Sequence, residues 1–368
     1  MVIKKLAQIS LILISSFFIL RQLSSLSQLI SGFPLNDFSV YMGGVSHTLT
    51  DNPYTQKFFD FYNYSPAATL FFYPFSLLPI NSAEFLFTGL SLLSLLISLI
   101  LLIKLTHFKL PPYLLFAISY LLLRFFPTRL TLALGQINLI VLLLIILAFY
   151  WFTSKRQVAS GVSLALAFIF KFNPAILLLF FLLKKQWRVI FSFFGTIVTL
   201  HLLAILAFGW PLTAYYYTKV LPSLLSQTGF ATMQRTYMNQ SLTALLGRLG
   251  IYDTQHLILK LVIILPLLYL ISRRIIKSTK LSELLNFNLL VVFMTIFLPT
   301  FSWQHHYVFL IPAIFLLSLK NFPLTVIFYL LLNFTISATF PGYPNPFIHS
   351  HLFLSAIAIF TLSLIKSS

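Results

Sequence analysis

The stretch Gly32–Pro79 reads GFPLNDFSVYMGGVSHTLTDNPYTQKFFDFYNYSPAATLFFYPFSLLP and is a polar island in a mostly apolar chain. It holds three of the six carboxylates of the chain (Asp37, Asp51 and Asp60), with three glycines and five prolines. The sequence on both sides contains apolar runs of the kind that cross a bilayer. We therefore predict that residues 32–82 form an outer loop that carries the chemistry, within a single integral membrane domain of residues 1–368.

The composition excludes a sizeable soluble domain. Of the 368 residues, 59% are hydrophobic and 8% are charged, whereas soluble domains carry about a quarter charged residues. The net charge of +18 would suggest a nucleic-acid partner in a soluble protein. Here the basic residues cluster between apolar runs, where they set membrane topology, so we predict no nucleic-acid partner. The chain has no cysteine, which excludes disulfides and thiolate catalysis.

The apolar runs predict an all-α fold, a polytopic transmembrane bundle of about twelve membrane helices with interfacial helices in the outer loop. Two runs flank Lys171-Phe172-Asn173-Pro174 and are too short to cross about 30 Å of hydrocarbon at about 1.5 Å per residue, so we predict a broken pair of short helices. The predicted spans are residues 6–30, 83–103, 112–124, 132–152, 158–170, 175–183, 189–208, 256–271, 283–298, a segment ending at 320, 323–340 and a segment ending at 366.

The distribution of charge predicts the orientation of these spans. Most lysines and arginines fall on one side of the predicted membrane, which by the positive-inside rule is the cytoplasm. Both termini are then cytoplasmic and the loop 32–82 is outside. Five of the six acids, all except Glu283, also fall outside. We therefore expect any carboxylate chemistry on the outer face.

Asp37 is the candidate general base. It follows the first span by a few residues, where neighbouring helix ends can desolvate it. Burial raises the pKa of a carboxylate and makes it a usable base near neutral pH. The alternative is that Asp37 caps a helix that begins near Phe38. The segment Asp51-Asn52-Pro53-Tyr54 is typical of a turn before a helix, and Asp60 of a solvated loop charge.

Three basic residues could bind a phosphate group: Arg129, Lys171 and Arg235. Arg124, Arg129 and Lys171 are cations at membrane depth, where a cation is costly and usually faces a cavity or a partner. Lys171 lies at the predicted helix break; alternatively, it reaches the interface or pairs with a carboxylate. Arg235 lies near the polar segment Asn239-Gln240-Ser241 in a later outer region.

Amides and histidines supply the other candidate groups. Gln136 and Asn138, at the outer start of the predicted span 132–152, could bind sugar hydroxyls or cap a helix. His305 and His306 follow Trp303, and adjacent side chains on a helix point about 100° apart. Because such a pair rarely chelates one ion, we predict no metal site and favour a histidine that handles a proton or binds phosphate.

In order and spacing, these motifs resemble those of glycosyltransferase family 87, whose members are polytopic enzymes of the GT-C type that use polyprenyl-phosphate sugars. The family includes bacterial mannosyl- and arabinofuranosyltransferases. The residues that carry the resemblance are Asp37-Phe38 with Tyr41, Asn52-Pro53-Tyr54, Tyr64-Ser65-Pro66 with Pro74, Gly135-Gln136-Ile137-Asn138, Lys171-Phe172-Asn173-Pro174, Asn239-Gln240-Ser241-Leu242 and Ser302-Trp303-Gln304-His305-His306.

The resemblance implies roles for particular residues. It makes Asp37 the catalytic base and places a histidine of the Trp-x-His-His segment in the site, for which we choose His305. We predict that the residues that bind substrate are Tyr41, Tyr54, Tyr64, Arg129, Gln136, Asn138, Lys171, Arg235, Asn239, Gln240, Trp303 and His306. The family often has longer outer loops, so the position of the acceptor stays open.

The resemblance also implies the reaction and its partners. A sugar, mannose in the first place or arabinofuranose, passes from a polyprenyl-phosphate donor to a lipid-linked or cell-envelope glycan, with inversion and without a cofactor or metal. The location implied is the bacterial plasma membrane, in contact with its lipids. Alternatives are a transporter or flippase of a lipid-linked sugar, a membrane scaffold, and a lipid-linked ligase or polymerase.

Overall fold

The computed structural model describes residues 2–32, 35–56, 58, 60–226, 236–334 and 345–365. Arg235, which we predicted to bind substrate, lies outside these residues. Within them the chain is helical, and the only β pairing is an isolated bridge between Asn239 and Trp303. The all-α prediction is therefore confirmed for the part of the chain that the structure describes.

The first half of the described chain forms twelve α-helices, joined by three short segments of other helical types. The 3₁₀ turns are Pro53–Thr55 and Asn173–Leu177, and a π-helical turn comprises Tyr216–Val220. The α-helices are α1 (Val2–Gly32), α2 (Asn36–Thr48), α3 (Pro66–Ser76), α4 (Ile80–Thr106), α5 (Pro112–Arg124), α6 (Phe126–Leu134), α7 (Asn138–Thr153), α8 (Gln157–Phe170), α9 (Leu178–Leu183), α10 (Trp187–Phe208), α11 (Trp210–Tyr215) and α12 (Leu221–Ser226).

The second half of the described chain also consists of helices. A 3₁₀ helix, Gln304–Leu310, carries both candidate histidines. The described α-helices are α13 (Leu242–Arg248), α14 (Asp253–Lys277), α15 (Lys280–Ile296), α16 (Ile311–Ser318), α17 (Phe322–Asn333), α18 (Pro346–His349) and α19 (His351–Ile365).

Four of these helices contain segments long and apolar enough to cross a membrane: Ala7–Ser25, Ile80–Thr106, Trp187–Phe208 and Thr254–Lys277. Helices α5 and α6 would form a fifth span if counted together, with a bend of 64° between them. Seven more apolar helices are 10–17 residues long. This set fits a helical membrane protein, and the total of about twelve membrane helices stays a prediction.

The structure corrects the start of one predicted span. We predicted a continuous helix over residues 132–152, but residues 132–134 complete α6 and a turn separates them from α7, which begins at Asn138. Gly135 causes the break, because it adopts a left-handed φ of 64° at the end of α6, the position where glycine commonly ends a helix. The predicted break after residue 170 is present: α8 ends at Phe170 and Lys171 is extended.

Small residues bring α7, α8 and α10 together. The Ser160 hydroxyl donates to the carbonyl of Ala148 at 2.6 Å and ties α8 to α7. On the other side of α8, Gly161 lies directly against α10, and a Cβ there would stand 2.7 Å from the Cβ of Ser192 and 2.9 Å from the backbone nitrogen of Phe193. Helices in membranes pack closely where small residues meet.

We expect Gly161→Ala to destabilise the protein by about 1–3 kcal/mol, because the added methyl group overpacks the contact between α8 and α10. Gly195→Ala on α10 is the matched control, since no atom lies within 4 Å of its added Cβ. The control should be neutral or stabilising by about 0.5–1 kcal/mol. Unfolding in detergent measures both, and equal stability of the two variants would contradict the packing.

Candidate active site

Asp37 lies in the first turn of α2, in the segment 32–82 that we call the outer loop after its predicted orientation. The residue at the cap of this helix is Leu35, which has a left-handed φ of 40° and makes no side-chain capping bond. The alternative role of Asp37 as a helix cap is therefore wrong. The Asp37 carboxylate instead lies where the positive end of the helix dipole favours negative charge.

The surroundings of Asp37 act on its pKa in opposite directions. Burial raises the pKa of this carboxyl above its ordinary value, and this is the largest effect. The hydrogen bond from Gln136 and the positive charge of Lys171 lower it, and the charge of Asp60 raises it slightly. The net shift is upward, as expected of a carboxylate prepared to accept a proton.

Gln136 connects the turn after α6 to the outer loop. It is 8% exposed, and its Oε1 accepts a hydrogen bond from the Tyr41 hydroxyl at 3.3 Å. The Tyr41 and Tyr64 hydroxyls are 3.1 Å apart. Gln136 also forms a hydrogen bond with Asp37. Asp37, Tyr41, Tyr64 and Gln136 therefore form one polar network within an apolar setting.

Lys171 belongs to the same cluster. It lies at the break after α8, and its Nζ is 3.2 Å from His306 Nε2. A charged ammonium can only donate, so this ring nitrogen accepts and carries no proton in that pair. Lys171 thus interacts with Asp37 through its charge and with His306 through a hydrogen bond.

His305 lies beside this cluster at the start of the 3₁₀ helix. Its carbonyl oxygen accepts from the Thr131 hydroxyl at 3.0 Å and from Asn138 Nδ2 at 3.4 Å. Its ring meets that of His306 edge to face, with the centroids 4.6 Å apart. The His305 ring is buried, and its Nε2 has no hydrogen-bond partner among the described residues. Asn138 therefore holds the backbone that presents both rings.

Asn239 and Gln240 bond to the protein itself. Asn239 Nδ2 donates to the carbonyl of Thr300 at 2.9 Å, and its Oδ1 accepts from the backbone nitrogen of Ser302 at 2.9 Å. Gln240 Nε2 donates to the carbonyl of Tyr237 at 2.6 Å. Both side chains are fully buried, and their hydrogen bonds hold the segment that leads to the histidines.

The remaining predicted residues surround the cluster. Tyr54 lies within the 3₁₀ turn Pro53–Thr55, which Asn52 caps, so the predicted turn is present, and the Tyr54 hydroxyl donates to the carbonyl of Tyr64 at 2.8 Å. Trp303 is half-buried and stacks on Phe301, with ring centroids 5.7 Å apart. Arg129 is half-buried on α6, and its Nε has no hydrogen-bond partner in the described part of the chain.

Sequence reasoning gave no role to two residues that support the site, Gly135 and Thr131. Gly135 comes so close to α2 that a Cβ would stand 2.7 Å from that of Phe38. Thr131, one turn earlier, holds the carbonyl of His305. The glycine before Gln136 was a usable signal, because a glycine between two apolar helices marks a turn or a close approach. Nothing in the sequence distinguished Thr131 from other threonines.

Comparison with known proteins identifies the family. The family model described as glycosyltransferase family 87 matches residues 61–299, which is more than half of the chain. The chain belongs to glycosyltransferase family 87. The matched region includes Gln136 and Lys171, whereas Asp37 precedes it and His305 and His306 follow it.

Curated relatives of this family 87 member are mycobacterial enzymes. An alpha-(1->3)-arabinofuranosyltransferase of Mycobacterium tuberculosis is 29% identical over 187 residues, 49% of this chain and 40% of that protein. A polyprenol-phosphate-mannose-dependent alpha-(1-2)-phosphatidylinositol mannoside mannosyltransferase of Mycolicibacterium smegmatis is 27% identical over 196 residues, 51% of this chain and 43% of that protein. The match spans less than half the length of each relative. No solved structure matches the chain.

We expect Gly135→Ala to move Gln136 away from Asp37, because the methyl group meets Phe38 and the left-handed backbone disfavours any side chain. Gly250→Ala is the control: it has a similar φ of 80° but no atom within 4 Å of the added Cβ. Backbone strain costs about 1–3 kcal/mol at each site, so unfolding measurements should show a larger loss for Gly135→Ala. An equal loss would mean that the contact with Phe38 contributes nothing.

Proposed function

We propose that this protein transfers a sugar from a polyprenyl-phosphate donor to a lipid-linked or cell-envelope glycan acceptor at the outer face of the bacterial plasma membrane. Mannose is the first candidate sugar and arabinofuranose the second. Family membership supports a glycosyltransferase, and the Mycolicibacterium smegmatis relative is a polyprenol-phosphate-mannose-dependent mannosyltransferase. The positive-inside pattern supports cytoplasmic termini and an outer site.

One observation carries the proposal: Asp37, Gln136, Lys171 and His306 come from four separate parts of the chain and meet in one cluster. A base, a group that orients it and a cation are what a displacement at an anomeric carbon requires when the leaving group is a phosphate. The elements that supply these residues are α2, the turn after α6, the break after α8 and the 3₁₀ helix.

In the proposed reaction Asp37 takes the proton from an acceptor hydroxyl. The oxygen attacks the anomeric carbon from the face opposite the phosphate, and the bond between that carbon and the phosphate oxygen breaks with its electron pair on the phosphate. A single displacement of this kind inverts the anomeric configuration. No nucleoside diphosphate leaves, so no metal bridge is required, and the sequence has no Asp-x-Asp motif.

The other residues support this displacement. Lys171, Arg129 or Arg235 offsets the charge on the departing phosphate. Tyr41 and Gln136 orient the Asp37 carboxylate. We propose that His305 lines the site and that His306 positions Lys171 through their hydrogen bond. Tyr54, Tyr64, Trp303 and the amides Asn138, Asn239 and Gln240 shape the surrounding wall.

Asp37→Asn should lower sugar transfer about a hundredfold or more, since a general base contributes on that scale. Membranes that contain each variant receive labelled polyprenyl-phosphate mannose or arabinose. Asp51→Asn is the control, because the Asp51 carboxylate accepts bonds from Asn52 and Gln56 within the outer loop. Transfer by Asp37→Asn at the wild-type rate would exclude Asp37 as the base.

Two further results would count against the mechanism. Loss of wild-type transfer in EDTA would show that a metal takes part. Purified protein that moves labelled lipid across vesicles without transferring sugar would indicate a flippase instead.

Lys171→Gln should move the acid limb of the pH–rate profile to higher pH. Asp37 must be deprotonated to act as a base, so transfer falls as the pH drops through its pKa. Because the charge of Lys171 lowers that pKa, its removal raises the pKa, and the loss of activity begins at a higher pH. The control is Lys109→Gln, at an exposed lysine. A limb that stays in place or moves to lower pH would contradict the proximity of the two charges.

A further inference from the structure

An apolar groove lies between helices α1, α4 and α5. Its cavity has a volume of about 390 Å³, and every residue that lines it except Ser119 is apolar. Leu23 contributes from α1, Leu95 and Leu96 from α4, and Leu123 from α5. A groove of this kind offers nothing to a polar ligand but suits a hydrocarbon chain.

Three side chains that can donate hydrogen bonds lie at one end of this groove: Gln22, Arg124 and Arg129. Arg124 follows the lining residues of α5 directly, and its Nη1 donates to Gln22 Oε1 at 3.1 Å, next to Leu23 on α1. Arg129 is close enough for its charge to interact with that of Arg124. Gln22 is 4% exposed, and its Nε2 has no hydrogen-bond partner among the described residues. The buried Nε of Arg129 also has no hydrogen-bond partner among the described residues.

The unpaired buried donors of Gln22 and Arg129 are costly unless an acceptor satisfies them, and the two neighbouring positive charges favour an acceptor that is an anion. We propose that the groove and this donor cluster, defined as Gln22, Arg124 and Arg129, form the site for the polyprenyl phosphate of the donor. Its isoprenoid chain lies between α1, α4 and α5, and its phosphate lies against the donor cluster. This inference rests on the proposed function and names the site that the donor occupies.

The position of the donor cluster suits transfer to the Asp37 site. Arg129 lies on α6 five residues before its end at Leu134, a rise of about 7–8 Å at about 1.5 Å per residue, and Gln136 lies in the turn that follows. A sugar attached to the phosphate can therefore point along α6 towards the amide that bonds Asp37. Contacts between α1 and α6 hold the groove next to that helix.

The phosphate becomes more negative during the reaction, and the positive charges of the donor cluster favour this change. In the donor the phosphate is a diester with a single negative charge. After the bond to the anomeric carbon breaks, it is a monoester with a charge of about −1.5 to −2 at neutral pH. Two arginines therefore stabilise the departing group more than the bound donor, which is the requirement for lowering the barrier.

Binding of labelled polyprenyl phosphate to purified full-length protein tests the site without reference to catalysis. Leu96→Trp fills the groove and should weaken binding at least tenfold, whereas Leu93→Trp, at an exposed leucine of the same helix outside the groove, should leave it unchanged. Arg124→Gln should also weaken binding tenfold or more, and Arg124→Lys should restore part of it. Equal binding by Leu96→Trp and Leu93→Trp would overturn the proposal.

Competition separates the possible sources of the ligand. Inorganic phosphate and phosphatidic acid should displace labelled polyprenyl phosphate only weakly, because the first lacks a chain and the second carries two acyl chains on a glycerol. Displacement by either one as effective as by unlabelled polyprenyl phosphate would overturn the assignment to an isoprenoid ligand.

Transfer measured on the same preparations distinguishes the two proposals. Binding that depends on Leu96 and Arg124 without any sugar transfer would support the site and refute the proposed function. Transfer from a polyprenyl-phosphate donor with unchanged binding in Leu96→Trp and Arg124→Gln would support the function and refute the site.

Discussion

The approach of Gly135 to Leu35 and Phe38 joins the outer loop to the helical bundle. Only a residue without a side chain fits there, both because of the close contact and because of the left-handed backbone. This contact brings Gln136 next to Asp37, which also interacts with the charge of Lys171. The loop therefore has no site of its own. It contributes one carboxylate to a cluster that the bundle completes.

The polar groups of the cluster lie where helices are interrupted. Gln136 follows the end of α6, Lys171 follows the end of α8, and the histidines occupy a 3₁₀ helix before α16. Irregular backbone at membrane depth is tolerated only where other protein groups satisfy it or where it lines a cavity. The interruptions thus supply the side chains of the candidate site, and the amides Asn138 and Asn239 hold the freed backbone in place.

Sequence patterns predicted the elements better than the contacts between them. The short apolar runs on either side of Lys171-Phe172-Asn173-Pro174 predicted the broken helix pair, and Asp51–Tyr54 predicted the turn. The start of α7 was misplaced, because apolar residues continue across Gly135 and hydropathy does not register the left-handed turn. The pairing of Lys171 with His306 joins residues 135 positions apart. The internal bonding of Asn239 and Gln240 was likewise invisible, since an amide that binds sugar and one that binds backbone look alike in sequence.

The π-helical turn Tyr216–Val220 has a consequence for how this region tolerates insertions and deletions. Tyr54 of the outer loop packs against Tyr215 and Tyr216, with ring centroids 6.3 Å and 5.4 Å away. A π-helical turn holds more residues than an α-helical turn, and each residue of an α-helix rotates its side chain by about 100°. Loss of a single residue here would turn one of these tyrosines away from Tyr54. The packing against Tyr54 therefore constrains the number of residues in this turn as well as the identity of its side chains.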